Sequence, residues 1–81
     1  MPTLNESDVL DVIREALDDK AGRVTIDSKM GEVEAWDSLG QLGILVALDK
    51  KLDGKVAGID ELAMAQSVRA ILEILKSHRL I

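Results

Sequence analysis

The sequence Glu34-Ala35-Trp36-Asp37-Ser38-Leu39-Gly40 lies where a polar connection passes into a long apolar helix. Helical periodicity continues from Ser38 to about Asp53, and Gly54 supplies a stop. Such a helix is buried on a broad face or docks a partner as well, because its apolar positions cover more than half of its circumference. These positions are Leu39, Leu42, Leu45, Val46, Leu48 and Leu52.

A first amphipathic helix precedes this stretch, and we predict it from about residue 5 to residue 20. Either Thr3 with Glu6 or Asn5 with Asp8 has the residue types and spacing that cap a helix start. The spacing of the apolar residues predicts one buried stripe on this helix. The stripe consists of Leu4, Val9, Ile13, Ala16 and Leu17.

A long connection joins the two helices, from residue 23 to residue 37, after Gly22 ends the first helix in a left-handed cap. A connection of about 15 residues is unusual in a small domain and often has a function. A strand at 23–26 would have no partner strand, while Ser28 is expected to face water. Three apolar side chains are spaced to tuck beneath the connection: Val24, Ile26 and Met30.

Two further helices complete the predicted fold. A short one covers about Asp60 to Ala65, and a last one runs from Gln66 or Ser67 to His78. The stripe of the last helix is Val68, Ile71, Leu72 and Leu75. The sequence therefore predicts an all-α bundle, with three main helices, a short third helix and a long loop between the first and second. We expect residues 1–81 to form a single domain.

Composition bounds the function classes. The chain has 81 residues, no cysteine and a formal net charge of −5. The charge argues against nucleic acid, whose phosphates require clustered Lys and Arg. No run of about 18 apolar residues predicts a membrane span, and the first residues lack the basic and apolar regions of a signal peptide. We therefore expect a cytoplasmic protein.

The chain carries little catalytic machinery. A nucleophilic serine needs a general base and an oxyanion hole. The only histidine, His78, falls in the last turn of the last helix, where we expect a surface side chain. No spacing predicts a metal site or a phosphate loop. We therefore expect that the protein is not itself an enzyme.

Two interpretations of Ser38 follow from its position. In one, its hydroxyl caps the helix by accepting from the backbone N–H of Gln41, whose side chain answers back as in a capping box. In the other, Asp37 is the cap and the Ser38 hydroxyl points outward. A phosphate attached there would be stabilised by the partial positive charge of the helix start.

The Asp37-Ser38-Leu39 motif, opening an apolar helix after a long loop in a short acidic chain, resembles the acyl carrier proteins. The resemblance covers nearly the whole chain. It implies that Ser38 carries 4′-phosphopantetheine, installed from coenzyme A by a phosphopantetheinyl transferase in a magnesium-dependent step. The arm would hold acyl groups as thioesters for enzymes of fatty acid, polyketide or related biosynthesis.

The resemblance also implies roles for neighbouring residues. Asp37 would engage the transferase and its metal, and Leu39 would anchor the first turn and contact partners. The acyl chain would enter an apolar space between helices, lined by Leu42, Leu45 and Ile71. Enzymes that load and transfer acyl groups would be the partners of a monomeric carrier. An aminoacyl or peptidyl carrier and an unmodified helical interaction module remain as alternatives.

The helix after Ser38 departs from the family pattern. Gly40 and Gly43 stand where the family often has acidic residues, and Lys50 and Lys51 replace acidic residues further along. We interpret a face of small residues as a docking surface for partners. The predicted partner-binding residues are Trp36, Gly40, Gly43, Val46, Ala47 and Lys50. For Trp36 a second interpretation, as a cover over the base of the helix, stays open.

Overall fold

Four α-helices make up the regular structure of the chain in a computed structural model, which describes residues 4–33 and 35–81. They are α1 (Glu6–Ala16), α2 (Ser38–Lys51), α3 (Asp60–Ala63) and α4 (Val68–Ser77). Between these described residues the only β-type pairings are two isolated bridges, Lys29 with Ser67 and Met30 with Val33. The prediction of an all-α fold is therefore confirmed.

Helix α1 begins with a capping box. The Asn5 side chain accepts from the backbone N–H of Asp8 at 2.8 Å, and the Asp8 carboxylate accepts from the Asn5 N–H at 3.1 Å. These two bonds satisfy donors that a helix start leaves unpaired. One of the two predicted caps is confirmed, while the alternative at Thr3 lies outside the described residues.

The three long helices end in the same way, with a residue other than glycine in the left-handed region. Asp18, Asp53 and Arg79 have φ of 53°, 55° and 59°. After α1, the Asp19 N–H reaches back to the Arg14 carbonyl at 2.8 Å, as in a Schellman motif. The predicted end near residue 20, with Gly22 as the cap, is therefore wrong, because Asp18 takes the left-handed position first.

An aliphatic core lies between α1, α2 and α4, and Trp36 is its only aromatic member. The predicted stripe of α4 is confirmed, since all four of its side chains are buried. From α1, Val9, Val12 and Ile13 face the same core. At the surface, Lys76 in the last turn of α4 forms an ion pair with Glu6 in the first turn of α1.

The connection between α1 and α2 is fixed to the bundle by backbone bonds. The Met30 N–H donates to the Gln66 carbonyl at 2.7 Å, and the Val68 N–H donates to the Ser28 carbonyl at 3.0 Å. Val24 is buried as predicted, and no strand forms at 23–26. Ile26 is exposed and Ser28 is buried, so these two predictions are wrong.

Candidate functional site

The start of α2 is capped by Asp37. Its Oδ1 accepts from the backbone N–H of Gly40 at 2.9 Å, as an N-cap side chain does. Ser38 is consequently the first helical residue, and its side chain is exposed. The capping-box interpretation of Ser38 is wrong. The structure instead fits the alternative, in which Asp37 holds the helix start and the Ser38 hydroxyl faces solvent.

Gln41 turns inward rather than back to Ser38. It is only 8% exposed, and its Oε1 accepts from the Trp36 indole N–H at 2.7 Å. Its Nε2 donates to the carbonyls of Leu62 at 3.2 Å and Ala65 at 2.8 Å. Every polar group of this buried pair is therefore satisfied, as a low-dielectric interior requires. The sequence signal for Gln41 was that it is the only amide side chain of this helix and lies five residues after the only tryptophan.

Trp36 belongs to the core, because only 1% of its surface is exposed. Its indole lies against the first turn of α2 through the bond to Gln41. The prediction that Trp36 contacts partners is therefore wrong. The second interpretation, in which Trp36 covers the base of the helix, matches its placement.

The small residues of α2 face the protein's own backbone. A Cβ at Gly40 would lie 2.2 Å from the Ala35 carbonyl oxygen, and one at Gly43 would lie 3.7 Å from the Ala16 carbonyl oxygen. Ala47 is half-buried against the core. The predicted docking role of Gly40, Gly43 and Ala47 is therefore wrong, since this side of α2 packs on α1 and on the connection that precedes α2.

A different face of α2 is exposed and apolar. Leu39, Leu42 and Val46 are 79%, 57% and 48% exposed, and we call these three residues the apolar stripe. Their spacing places them along one side of a helix that starts at Ser38. Lys50 is exposed one turn further on. Of the six residues predicted to bind partners, only Val46 and Lys50 lie on this surface.

A groove of about 320 Å³ runs between α2 and the segment that contains α3. Its apolar lining includes Leu45, Val46, Val56, Ile59 and Ala63. The predicted apolar space is corrected accordingly, because Leu42 faces solvent and Ile71 is fully buried in the core. Leu45 lies seven residues after Ser38, which corresponds to roughly 10 Å along a helix.

The described residues offer few other reactive groups. His78 follows the last residue of α4, and its Nε2 lies 3.3 Å from the Glu61 carboxylate. No three His, Cys, Asp or Glu side chains gather into a metal-holding group in residues 4–33 and 35–81. No helix in this part of the chain is both long and apolar enough to span a bilayer.

Comparisons with known proteins add no identification. Searches against models of protein families, curated proteins and solved structures gave no match.

Proposed function

We propose that this chain is an acyl carrier protein, which holds acyl groups as thioesters on a 4′-phosphopantetheine arm attached to Ser38. The exposed hydroxyl of Ser38, directly behind the Asp37 cap, carries the proposal. A carrier needs an accessible oxygen on a rigid element. It does not need a general base beside that oxygen, because the modifying enzyme supplies the chemistry. The thiol of the arm would also give thiol chemistry to a chain without cysteine.

The electrostatics of the helix start favour the phosphodiester of such an arm. The first N–H groups of an α-helix have no partner within the helix. The Asp37 side chain accepts from the Gly40 N–H, and the Asp37 carbonyl oxygen accepts from the Gln41 N–H at 2.8 Å. The backbone N–H groups of Ser38 and Leu39 precede these two in the first turn. A negative group on Ser38 would be stabilised there by the helix dipole.

The surface beside Ser38 suits visiting enzymes. The apolar stripe begins at the next residue, Leu39, so an enzyme that reaches the arm meets apolar side chains first. The groove gives an acyl chain an apolar place to lie, because Leu45 and Val46 are within reach of a group attached at Ser38. Asp37 remains exposed for contact with a phosphopantetheinyl transferase.

An unmodified interaction module is the second candidate. The apolar stripe favours it, because exposed apolar side chains aligned on one helix face suit docking on a partner. Under this alternative Ser38 would carry nothing, and the stripe alone would be the functional surface.

Intact-mass measurement separates the two candidates. The protein is incubated with coenzyme A, magnesium and a broad-specificity phosphopantetheinyl transferase. We expect the wild type to gain one phosphopantetheine and Ser38→Ala to gain none. Ser7→Ala is the matched control, because Ser7 is also an exposed serine in the first turn of a helix, and it should be modified as the wild type is. A folded wild type without added mass would contradict the carrier and leave the module.

The loss of modification in Ser38→Ala has a direct stability control. Ser38 caps nothing, so its replacement should change the free energy of unfolding by less than about 0.5 kcal/mol. Ser67, in contrast, caps α4 by accepting from the Ala70 N–H at 3.1 Å. Ser67→Ala should therefore cost about 1 kcal/mol. Denaturant unfolding of both variants shows whether Ser38→Ala remains folded.

A further inference from the structure

Helix α2 is followed by an exposed turn that contains Asp53 and Gly54. Asp53 is the only aspartate of the chain that precedes a glycine. Both residues have positive φ, 55° for Asp53 and 79° for Gly54. The turn is a Schellman motif, because the Gly54 N–H donates to the Asp49 carbonyl at 2.9 Å. The end of α2 therefore combines a reactive dipeptide with a defined helix cap.

An aspartate before a glycine can rearrange without an enzyme. The backbone nitrogen of Gly54 attacks the Asp53 Cγ atom, the N–H proton and the carboxyl OH leave as water, and a cyclic imide forms. Water then opens either carbonyl of the imide, which returns aspartate or gives isoaspartate. The water that is released is balanced by the water that is taken up, so no oxidant or cofactor is needed. Glycine favours the attack, because no Cβ shields its nitrogen.

The helix cap holds the nitrogen that this reaction needs. Attack requires the Gly54 nitrogen to give up its proton, and the hydrogen bond to the Asp49 carbonyl keeps that proton in place. Attack also requires the peptide between Asp53 and Gly54 to turn toward the side chain, a rotation that the same bond resists. The Lys55 N–H donates to the Leu52 carbonyl at 3.1 Å, which adds to this resistance. The closed cap therefore suppresses the rearrangement.

The cap can open while the rest of the bundle stays folded. The exposed turn at 53–55 lies between two buried residues, Leu52 and Val56, which remain in the core when the turn rearranges. A Cβ built on Gly54 would meet nothing within 4 Å, so none of the described residues packs over this point. Helix ends fray at a low cost in free energy. We therefore expect the cap to open more often than the whole bundle unfolds.

We propose that Asp53 is a modification site, at which isoaspartate forms from the open state of the α2 cap. Isoaspartate adds a carbon atom to the main chain at residue 53, so the Gly54 N–H no longer meets the Asp49 carbonyl and the cap does not form again. The α-carboxylate that isoaspartate exposes is the acceptor for enzymes that methylate it with S-adenosylmethionine. The inference goes beyond the proposed function, because the end of α2 rearranges whether or not Ser38 carries a group.

Isoaspartate formation in the ageing wild-type protein tests the site. The protein is incubated at neutral pH, either folded or unfolded in urea, and isoaspartate is located by methyltransferase labelling and peptide mapping. In the unfolded chain we expect residue 53 to react faster than any other aspartate. In the folded protein its rate should fall by about tenfold or more, because slow chemistry follows the population of the open cap. Equal rates in the two states, or no isoaspartate at residue 53 in the unfolded chain, would overturn the proposal.

The variant Asp53→Asn makes the same reaction visible by mass. Asparagine also adopts positive φ at helix ends, so the cap is kept. Its imide forms with loss of ammonia, and hydrolysis then raises the mass because oxygen replaces an NH group. The ratio of the folded to the unfolded deamidation rate should equal, within about threefold, the open fraction that hydrogen exchange of the Gly54 amide gives. In the unfolded chain, adding Gly54→Ala is the matched control, and it should remove most of the reaction because its methyl group shields the nitrogen.

Two results for the deamidation rate would contradict gating by the cap. A folded rate close to the unfolded rate, with the Gly54 amide protected from exchange, would show that the cap does not hold the reaction back. A ratio that followed exchange of the buried Leu48 residue instead of Gly54 would show that only unfolding of α2 exposes the site. Ser38→Ala should leave every rate unchanged, so the modification site and the proposed function succeed or fail separately.

Discussion

Gly40 is the tightest point in the packing of α2. A Cβ at this position would lie 2.2 Å from the Ala35 carbonyl oxygen and 2.9 Å from the Leu17 Cδ2 atom. Backbone rather than a flexible side chain blocks the space, so the connection before α2 would have to shift. We expect Gly40→Ala to lower the free energy of unfolding by about 1–3 kcal/mol. Urea unfolding followed by Trp36 fluorescence measures the loss.

Gly43→Ala is the matched control for that prediction. Its Cβ would lie 3.7 Å from the Ala16 carbonyl oxygen, which is an ordinary contact. Alanine also favours the helix by about 1 kcal/mol over glycine. Gly43→Ala should therefore be neutral or stabilising. If Gly40→Ala and Gly43→Ala lost equal stability, the general packing of α2 would account for both losses, and the contact with Ala35 would not.

The sequence predicted that Ser38 lies at the start of α2, but it did not determine the roles of its neighbours Asp37 and Gln41. Asp37 and Ser38 both have side chains that cap helices, so residue type alone left the choice open. Gln41 was expected to answer Ser38, because a capping box needs that spacing. Its true direction depends on the Leu62 and Ala65 carbonyls, which only the folded chain brings near.

Among the segments of the chain, the turn after α1 depends on one carboxylate. Asp19 accepts from the backbone N–H groups of Val24 at 2.8 Å and Arg23 at 3.1 Å. The bond from Val24 is the main cause that lowers the pKa of Asp19, and partial desolvation opposes it. The bond from Arg23 and the charges of Arg14 and Arg23 lower this pKa further.

This lowered pKa predicts a pH-dependent contribution to stability. Because the folded pKa lies below the unfolded one, the contribution is present above the unfolded pKa and is lost as pH falls through the folded pKa. We expect Asp19→Ala to lower the thermal midpoint at neutral pH. The difference from the wild type should shrink between about pH 5 and about pH 2. A difference that stayed constant over this range would contradict a role for the ionised carboxylate.

Helix positions were predicted more accurately than helix ends. The α4 stripe was recognised because its apolar residues recur with one clear period. The end of α1 was misplaced because aspartate seldom takes positive φ, and Gly22 gave the stronger stop signal. The exposure of Ile26 had no signal, since periodicity says nothing about how an irregular connection crosses the bundle. The face of α2 that packs on α1 was also ambiguous, because apolar residues occur around most of that helix.

For the molecule as a whole, the exposed face of α2 that follows Ser38 is largely apolar, although the chain carries a formal net charge of −5. Helix α2 has no acidic residue in its first turn and has two lysines in its last turn. The apolar stripe lies along the exposed side of the helix between its first and last turns. Recognition of this surface should therefore depend more on apolar burial than on charge steering.

This character predicts weak salt dependence for the proposed modification. Between about 50 mM and about 300 mM salt, kcat/KM of the transferase for this chain should change by less than roughly threefold. Leu42→Asp should lower kcat/KM at every salt concentration, because Leu42 is central in the stripe. Lys55→Asp, which changes an exposed residue beyond α2, is the control. A steep fall with salt would show that charges, not the stripe, attract the enzyme.

The ion pair between Glu6 and Lys76 also shows that the start of α1 and the end of α4 lie close together. It joins the first turn of α1 to the last turn of α4, and Leu4 and Leu80 both pack against the core nearby. We therefore expect that a short added linker could connect residue 80 back to residue 4. The exposed turn at 20–23 could then be cut to give a circular permutant. The same adjacency allows the bundle to be inserted into a surface loop of a host protein, because the host chain would enter and leave at one place.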